Sequence, residues 1–515
     1  MQSRRRWRRL RQGPDRWQWC VSALLIGAAS PAMAQEQRTS LSLQSNVTAT
    51  TNGNLAPDGL ERKDVIVTLG PRLQFFRQGA GLSVRSTLGA DLIEATRDSR
   101  PDRVLPLASV EAQASIVDRL LFLDAGLDAR QVESNAFGGR VVEASEENAR
   151  TATTVRLSPS LNYEIGSKLF VAARVTDVRT RRSGSIEGDA DTLQGSVKLE
   201  TRPRPLGGGL EVSTDRTEYL SNLNADVRID RVQATANVAL DDAWVVGGMA
   251  GRERSTLAGV EQSGSTYGLR LAWSPSPRTS LAVTADDRFF GTGWSVTAGH
   301  RTPRMTFLLR SVREPLTAAY SSGGGGFANS LAGFLDAILS GRMTNPMERS
   351  AAVEELLAVR GLQSALRGSI APSAAYAQLR TGSEFTWVYL APRTTLTLTL
   401  YAQKLQALSD ADGVPVLTFP AIDDRRQRGI SAGWNWRLSP QVSVDLQGNY
   451  SRVQGLGPRV NDLTREADAK ASVVRQLSPR TNLSVGVGYR KLATNVVNVD
   501  SFDETTAFVG MAHRF

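Results

Sequence analysis

A chain of 515 residues with one cysteine, Cys20, and two histidines, His300 and His513, excludes disulfide frameworks and clustered Cys/His zinc sites. The formal net charge of +10 falls to +4 beyond residue 34, because the first 34 residues hold seven Arg and one Asp and leave 54 basic and 50 acidic residues. The remainder is close to neutral, which removes the ground for nucleic-acid binding.

The N-terminus reads as a targeting segment. Arg4, Arg5, Arg6, Arg8, Arg9, Arg11 and Arg16 precede an apolar core, Trp17 to Ala29, and the small-x-small triplet Ala32-Met33-Ala34. This order predicts a signal peptide over 1–34, cleaved near Ala34, with a mature chain over 35–515 that carries no cysteine. The apolar core is too short to span a bilayer. No later apolar run is long enough for a transmembrane helix.

From there the chain alternates with period two. In Gly81–Ala95, Leu82, Val84, Leu88, Ala90 and Leu92 fall on one face, and Arg85 and Asp91 on the other. The same pattern recurs in Tyr267–Trp273, Thr394–Ala402, Val442–Tyr450 and Leu483–Arg490. Each reads as a strand with one apolar and one polar face. A soluble sandwich gives that pattern too, so the connections discriminate. Short ones (Arg77–Ala80, Asp118-Arg119, Gly166-Ser167, Asp241-Asp242, Ser274–Pro277, Thr302-Pro303, Ala391-Pro392, Ser439-Pro440, Ser478-Pro479) alternate with longer ones. The longer set is Asn52–Lys63, Glu133–Arg150, Ser255–Gln262, Ser409–Asp424, Gln454–Arg465 and Ala493–Phe502. Tight outer hairpins are expected near Leu220–Asn222 and Gly291. Short turns at one end and long loops at the other are the pattern of transmembrane barrels.

The turn Trp273-Ser-Pro-Ser-Pro-Arg-Thr-Ser-Leu281 is echoed at Leu390–Leu396, Leu438–Val444 and Leu477–Leu483. Proline sets φ for a tight turn and ends the ladder. Trp273, Trp387, Tyr389, Trp434, Trp436, Tyr450 and Tyr489 lie near turns and strand ends, where interfacial girdles form.

Between Ala318 and Arg380 the alternation stops. Phe327, Leu331, Phe334 and Leu335, then Val353, Leu356, Leu357 and Leu362, follow helical spacing on either side of Asn345-Pro346. A helical insert over 318–380 is expected, as a loop or a plug. The last stretch, Thr505–Phe515, alternates again and ends in Phe. Val509, Met511 and Phe515 are the expected assembly signal, read by barrel assembly machinery. His513 shares their parity, so a neutral imidazole is expected at the interface.

The expected fold is therefore all-β: a transmembrane antiparallel β-barrel of about 22 strands, within a range of roughly 18–24, carrying the helical insert. Its surroundings would be outer-membrane lipid. No catalytic residue, metal ligand or cofactor is expected. What remains is the lumen. If the apolar faces meet lipid, the inward set includes Arg85, Asp91, Arg174, Asp226, Arg228, Arg270, Asp286, Arg288, Asp445 and Arg490. Such a lining is either an ion-paired structural interior or a guide for polyanions, because arginine makes forked contacts to carboxylates.

At Arg288-Phe-Phe-Gly291, His300-Arg-Thr-Pro-Arg304 and the repeated Leu-Ser-Pro-Arg-Thr turn, the chain resembles the outer-membrane β-barrel proteins associated with exosortase (PEP-CTERM) and exopolysaccharide gene clusters of Gram-negative bacteria. The resemblance implies localisation to the cell outer membrane. It also implies a part in exopolysaccharide production, export or surface sorting, with exopolysaccharide and export-system proteins as partners. Two functions follow as expectations: a channel or export component, or a non-transporting scaffold or receptor that binds partners through its loops and insert.

Overall fold

The computed structural model describes residues 36–79, 81–118, 120–138, 148–166, 168–184, 189–201, 205–220, 226–257, 259–317, 377–408 and 424–515. The signal peptide over 1–34 and most of the helical insert lie outside the described residues.

Among them run 22 strands. The first eleven are β1 (Glu36–Thr50), β2 (Asp64–Gln78), β3 (Leu82–Ala95), β4 (Arg103–Val117), β5 (Leu121–Glu133), β6 (Ala149–Ile165), β7 (Leu169–Arg182), β8 (Ala190–Thr201), β9 (Leu206–Tyr219), β10 (Val227–Ala239) and β11 (Trp244–Leu257). The rest are β12 (Val260–Ser276), β13 (Thr279–Arg288), β14 (Gly291–Arg301), β15 (Met305–Leu316), β16 (Gln378–Leu390), β17 (Thr394–Ala407), β18 (Arg425–Ser439), β19 (Val442–Gly455), β20 (Leu463–Ser478), β21 (Thr481–Thr494) and β22 (Phe502–Arg514). Each strand pairs antiparallel with its sequence neighbours, from β1–β2 through β21–β22. The last closes on the first: Ser42 faces Arg514 and Thr50 faces Thr506. Closure removes the free edges that would otherwise invite aggregation.

The strand over 378–390 corrects one boundary. Gln378, Leu379 and Arg380 belong to β16, paired to Leu316, Pro315 and Glu314, and not to a helix. The neighbouring strand supplies a register that local helical spacing could not reveal.

Connections of two to four residues follow every even-numbered strand, so one end of the barrel carries only short turns. The Ser-Pro turns share one device. Ser276, Ser439 and Ser478 each accept a hydrogen bond from the backbone N–H two residues on, at Arg278, Gln441 and Arg480 (3.2–3.3 Å). The ladder shifts register at each of these serines. The serine hydroxyl thus holds the turn by accepting from the N–H of the residue after the proline, while the proline ends the ladder.

Two expected outer connections differ. Ser255–Gln262 is not a long loop: β11 and β12 continue to Leu257 and Val260, which pair across a tight turn with Gly259 at φ +84°. The strands extend beyond the apolar wall, both faces become polar, and the alternation that marks a strand fades. The link after β9 is longer than expected, since β10 begins only at Val227, whereas Arg288 and Gly291 do close tightly.

Direct cross-strand partners share a face. One face carries Val232, Val246, Leu269, Ile430, Val485 and Val509, aligned in apolar rows such as Val473–Val485–Val509. Large apolar side chains on this face remain exposed, Leu269 by 70% and Val487 by 55%, although the barrel is closed. An apolar wall of this extent is built for an apolar surrounding. Trp434 and Trp436 stack on it, and Trp244 and Trp273 meet at a tilt, near the short turns; Tyr450 and Tyr489 mark its other edge. The opposite face holds ion pairs that reach over an intervening strand, such as Arg174 on β7 with Asp124 on β5. Side chains converge in that way only on the concave side, which is therefore the lumen.

Candidate functional site

The inner face of β9–β13 holds the densest network. Glu253 on β11 lies directly across from Arg231 on β10. Arg288 on β13 reaches over β12 to Glu253, with Nη2 at 2.6 Å and Nε at 2.9 Å from the same carboxylate oxygen. Asp286, also on β13, reaches over both β12 and β11 to Arg231 at 3.1 Å. Of these, β12 offers Gly264 and Gly268 to the lumen. Added bulk at Gly268 would meet the Ala285 carbonyl at 2.6 Å, Met249 at 2.7 Å and Asp286 at 2.9 Å. Glycine here lets two strand-skipping pairs form. Glu253 is only 2% exposed and also accepts from the Phe289 N–H, so its charge is matched by several donors.

Phe289 and Phe290 follow at once and meet edge to face, with Arg288 and Arg313 over the Phe290 ring at 5.0 and 5.6 Å. One buried apolar cluster gathers Phe290 with Val227, Ile229, Leu257 and Leu408. The Arg-Phe-Phe-Gly stretch thus ties the charged wall to the rim.

A second group locks the seam. Glu504 on β22 accepts from Thr50 of β1 at 2.6 Å and pairs with Arg100, from the β3–β4 loop, at 3.2 Å. Arg490, directly across from Glu504, pairs with Glu466 at 2.9 Å and lies over Phe502. Arg100 also donates to the Gly53 carbonyl. A loop from β3–β4 therefore clasps β22 beyond β1 and β2.

The mouth is narrowed by the β5–β6 loop. Its Phe137 is fully buried with Val453 and Val496. Its carbonyl accepts from Thr464 at 2.9 Å, and Arg459 covers its ring at 4.0 Å. Val453 and Thr464 lie on the inner face of β19 and β20, with β21, β22 and β1–β4 between them and β5, so this loop crosses the lumen opening.

The remaining expected lumen residues are placed as follows. Arg85 faces inward over Phe76 at 5.8 Å. Asp91 pairs with Arg72 at 2.5 Å. Asp445 accepts from Asn435 at 2.6 Å. Arg270 is inward and exposed, with no ion pair among the described residues. Asp226 is in the loop before β10 and accepts from the Tyr219 N–H. Arg228 is a correction: it shares the face of Val232 and Ala234 and pairs with Asp230 at 2.8 Å on the outer wall. It sits above the apolar band, where an outward charge meets water. The partners Arg72, Asp124, Arg231, Glu253 and Glu466 escaped the sequence reading, although each has the polar parity of its strand.

Val509, Met511 and Phe515 lie on the outer side of the last strand, and Phe515 donates its N–H to Leu41 of β1 at 2.9 Å. His513 shares their side, shares a hydrogen bond with the Thr481 hydroxyl at 2.9 Å, and meets the Phe515 ring edge-on.

No family model matches the sequence, and no curated protein matches it. Among solved structures, the chain is similar to the FrpB iron transporter from Neisseria meningitidis (F5-1 variant): 9% identity, TM-score 0.49, 92% of this chain and 82% of that chain. It is similar to the siderophore receptor PiuA from Acinetobacter baumannii: 8% identity, TM-score 0.44, 92% and 82% covered. It is also similar to Pseudomonas aeruginosa OccK2 (OpdF): 10% identity, TM-score 0.34, 93% and 98% covered.

Proposed function

We propose that the protein is an outer-membrane channel, inserted with its long loops outward and its short turns and Phe515 on the periplasmic side. The observation that carries this is a closed wall, apolar outside, with a lumen lined by hydroxyls, amides and matched charges. Arginines held by carboxylates can exchange partners with a passing carboxylated sugar without being left bare, since forked contacts to either acid are alike. Together with the resemblance at Arg288–Gly291 and the Ser-Pro turns, this favours exopolysaccharide as the cargo and export-system proteins as partners. Insertion would follow recognition of Val509, Met511 and Phe515 by barrel assembly machinery.

Planar-bilayer recording of the refolded chain tests the channel. Conductance steps are expected, and they should enlarge in F137A, which removes the ring seated across the mouth. No conductance in either form, or in a variant lacking 323–368, would overturn the channel in favour of a surface scaffold. Polymer retained in the periplasm of a deletion strain is the result expected for the export role.

A further inference from the structure

At one level on the outer wall of β17–β21 the chemistry changes abruptly. Ile430, Tyr450 and Ala467 form one cross-strand row, with Tyr489 and the apolar wall beside and below it. One step toward the long loops stand Arg428, Arg452 and Arg465, directly opposite one another across β18, β19 and β20. Lys404 and Arg426 face each other one step higher, and Lys491 extends the set onto β21. Like charges in direct cross-strand pairs destabilise a sheet. The outer face of β17–β21 presents no carboxylate; the nearest is Asp503, across from Lys491 on β22. None of the six cations forms an ion pair among the described residues, and Arg452 Nε is buried without a hydrogen-bond partner.

We infer that this patch binds the phosphates of an outer-leaflet glycolipid, a phosphorylated and multiply acylated saccharide, whose acyl chains lie along the apolar wall below. The inference rests on the proposed membrane placement. The cations begin where the wall stops being apolar, which is the headgroup level. What stands against the wall there is lipid. Phosphate offers several oxygens to guanidinium forks and relieves the repulsion along the row. The patch also differs from the same level on β9–β11, where Arg216, Arg228 and Arg254 each hold a carboxylate, Glu218, Asp230 and Glu261, at 2.5–3.1 Å.

The test uses the refolded full chain in a neutral detergent, titrated with purified lipid A and read by native mass spectrometry. Three forms are compared: wild type, R428Q/R452Q/R465Q, and R216Q/R228Q. The triple variant is expected to bind roughly a hundredfold more weakly, and the double variant to bind as wild type. Without lipid, the triple variant should unfold at the same or a higher temperature, because its like charges are gone. Should it fail to refold, K404Q/K491Q serves instead, with roughly a tenfold loss expected. Undiminished binding by the variant, equal loss in R216Q/R228Q, equal binding of dephosphorylated lipid, or displacement by millimolar inorganic phosphate would each overturn the inference. Fractionation with outer membranes and heat-modifiable gel mobility are scored separately, so failure of the lipid site leaves the barrel reading standing, and failure of fractionation removes that reading itself.

Discussion

Neighbouring strands carry arginine–carboxylate pairs of two kinds. On the inner wall, Arg288 reaches across one strand to Glu253, and Asp286 across two to Arg231. On the outer wall, Arg228 meets Asp230 and Arg216 meets Glu218, two residues apart within one strand. Curvature makes the difference. Side chains converge on the concave face, so a glycine-cleared strand can be bridged and water excluded. On the convex face they diverge, and partners stay within reach on the same strand or, as Arg254 and Glu261 do, on the adjacent one. The Glu253 side chain is 2% exposed and that of Arg228 57%, so the same chemistry carries different energetic weight on the two sides.

The largest test of that difference is Glu253→Gln. It leaves Arg288 and Arg231 facing a neutral amide in a largely dehydrated setting. Breaking a buried pair from one side costs about 3–5 kcal/mol. Urea unfolding of the barrel from lipid vesicles should show a loss of that order. A loss below about 1 kcal/mol, the exposed-pair range, would mean that the inner pairs are as wet as the outer ones. Gly268→Ala comes next. Its methyl would meet the Ala285 carbonyl, Met249 and Asp286 within 2.9 Å and push the bridges apart. Overpacking of this kind costs about 1–3 kcal/mol. An equivalent change at Gly264, where nothing lies within 4 Å, should be milder under the same measurement.

The strands and their polarity were legible because each crossing alternates, and because serine before proline recurs at three of the short turns, after β12, β18 and β20. The parity of Arg85, Asp286 or Arg490 followed from the apolar residues beside it. Arg228 is the exception. Its charge alone suggests the lumen, yet its even parity matches Val232 and Ala234, and a charge above the apolar band is wet on either face. The strand-skipping partners were beyond reach for another reason. Alternation says which face a residue occupies, but Asp124 meets Arg174, and Glu253 meets Arg288, through curvature and through missing side chains on the strand between. Phe137 is harder still. Its seat against Val453 and Val496 depends on a loop crossing the opening, for which the short apolar pair Ala136-Phe137 leaves no periodic trace.

The smallest effect belongs to the outer pair, and a double-mutant cycle isolates it. Arg228→Gln and Asp230→Asn each remove one charge from a half-exposed site bathed in headgroups and water. Single losses should stay within about 0.2–1 kcal/mol, and the coupling between them should be no larger. Raising the salt concentration should shrink it further, since exposed charges are screened within about 10 Å at 0.1 M. The Glu253–Arg288 coupling, shielded by the wall, should barely respond to the same salt. If both couplings fell together with salt, the lumen at β10–β13 would be open water, and the inner wall would owe its order to the strands and not to its bridges.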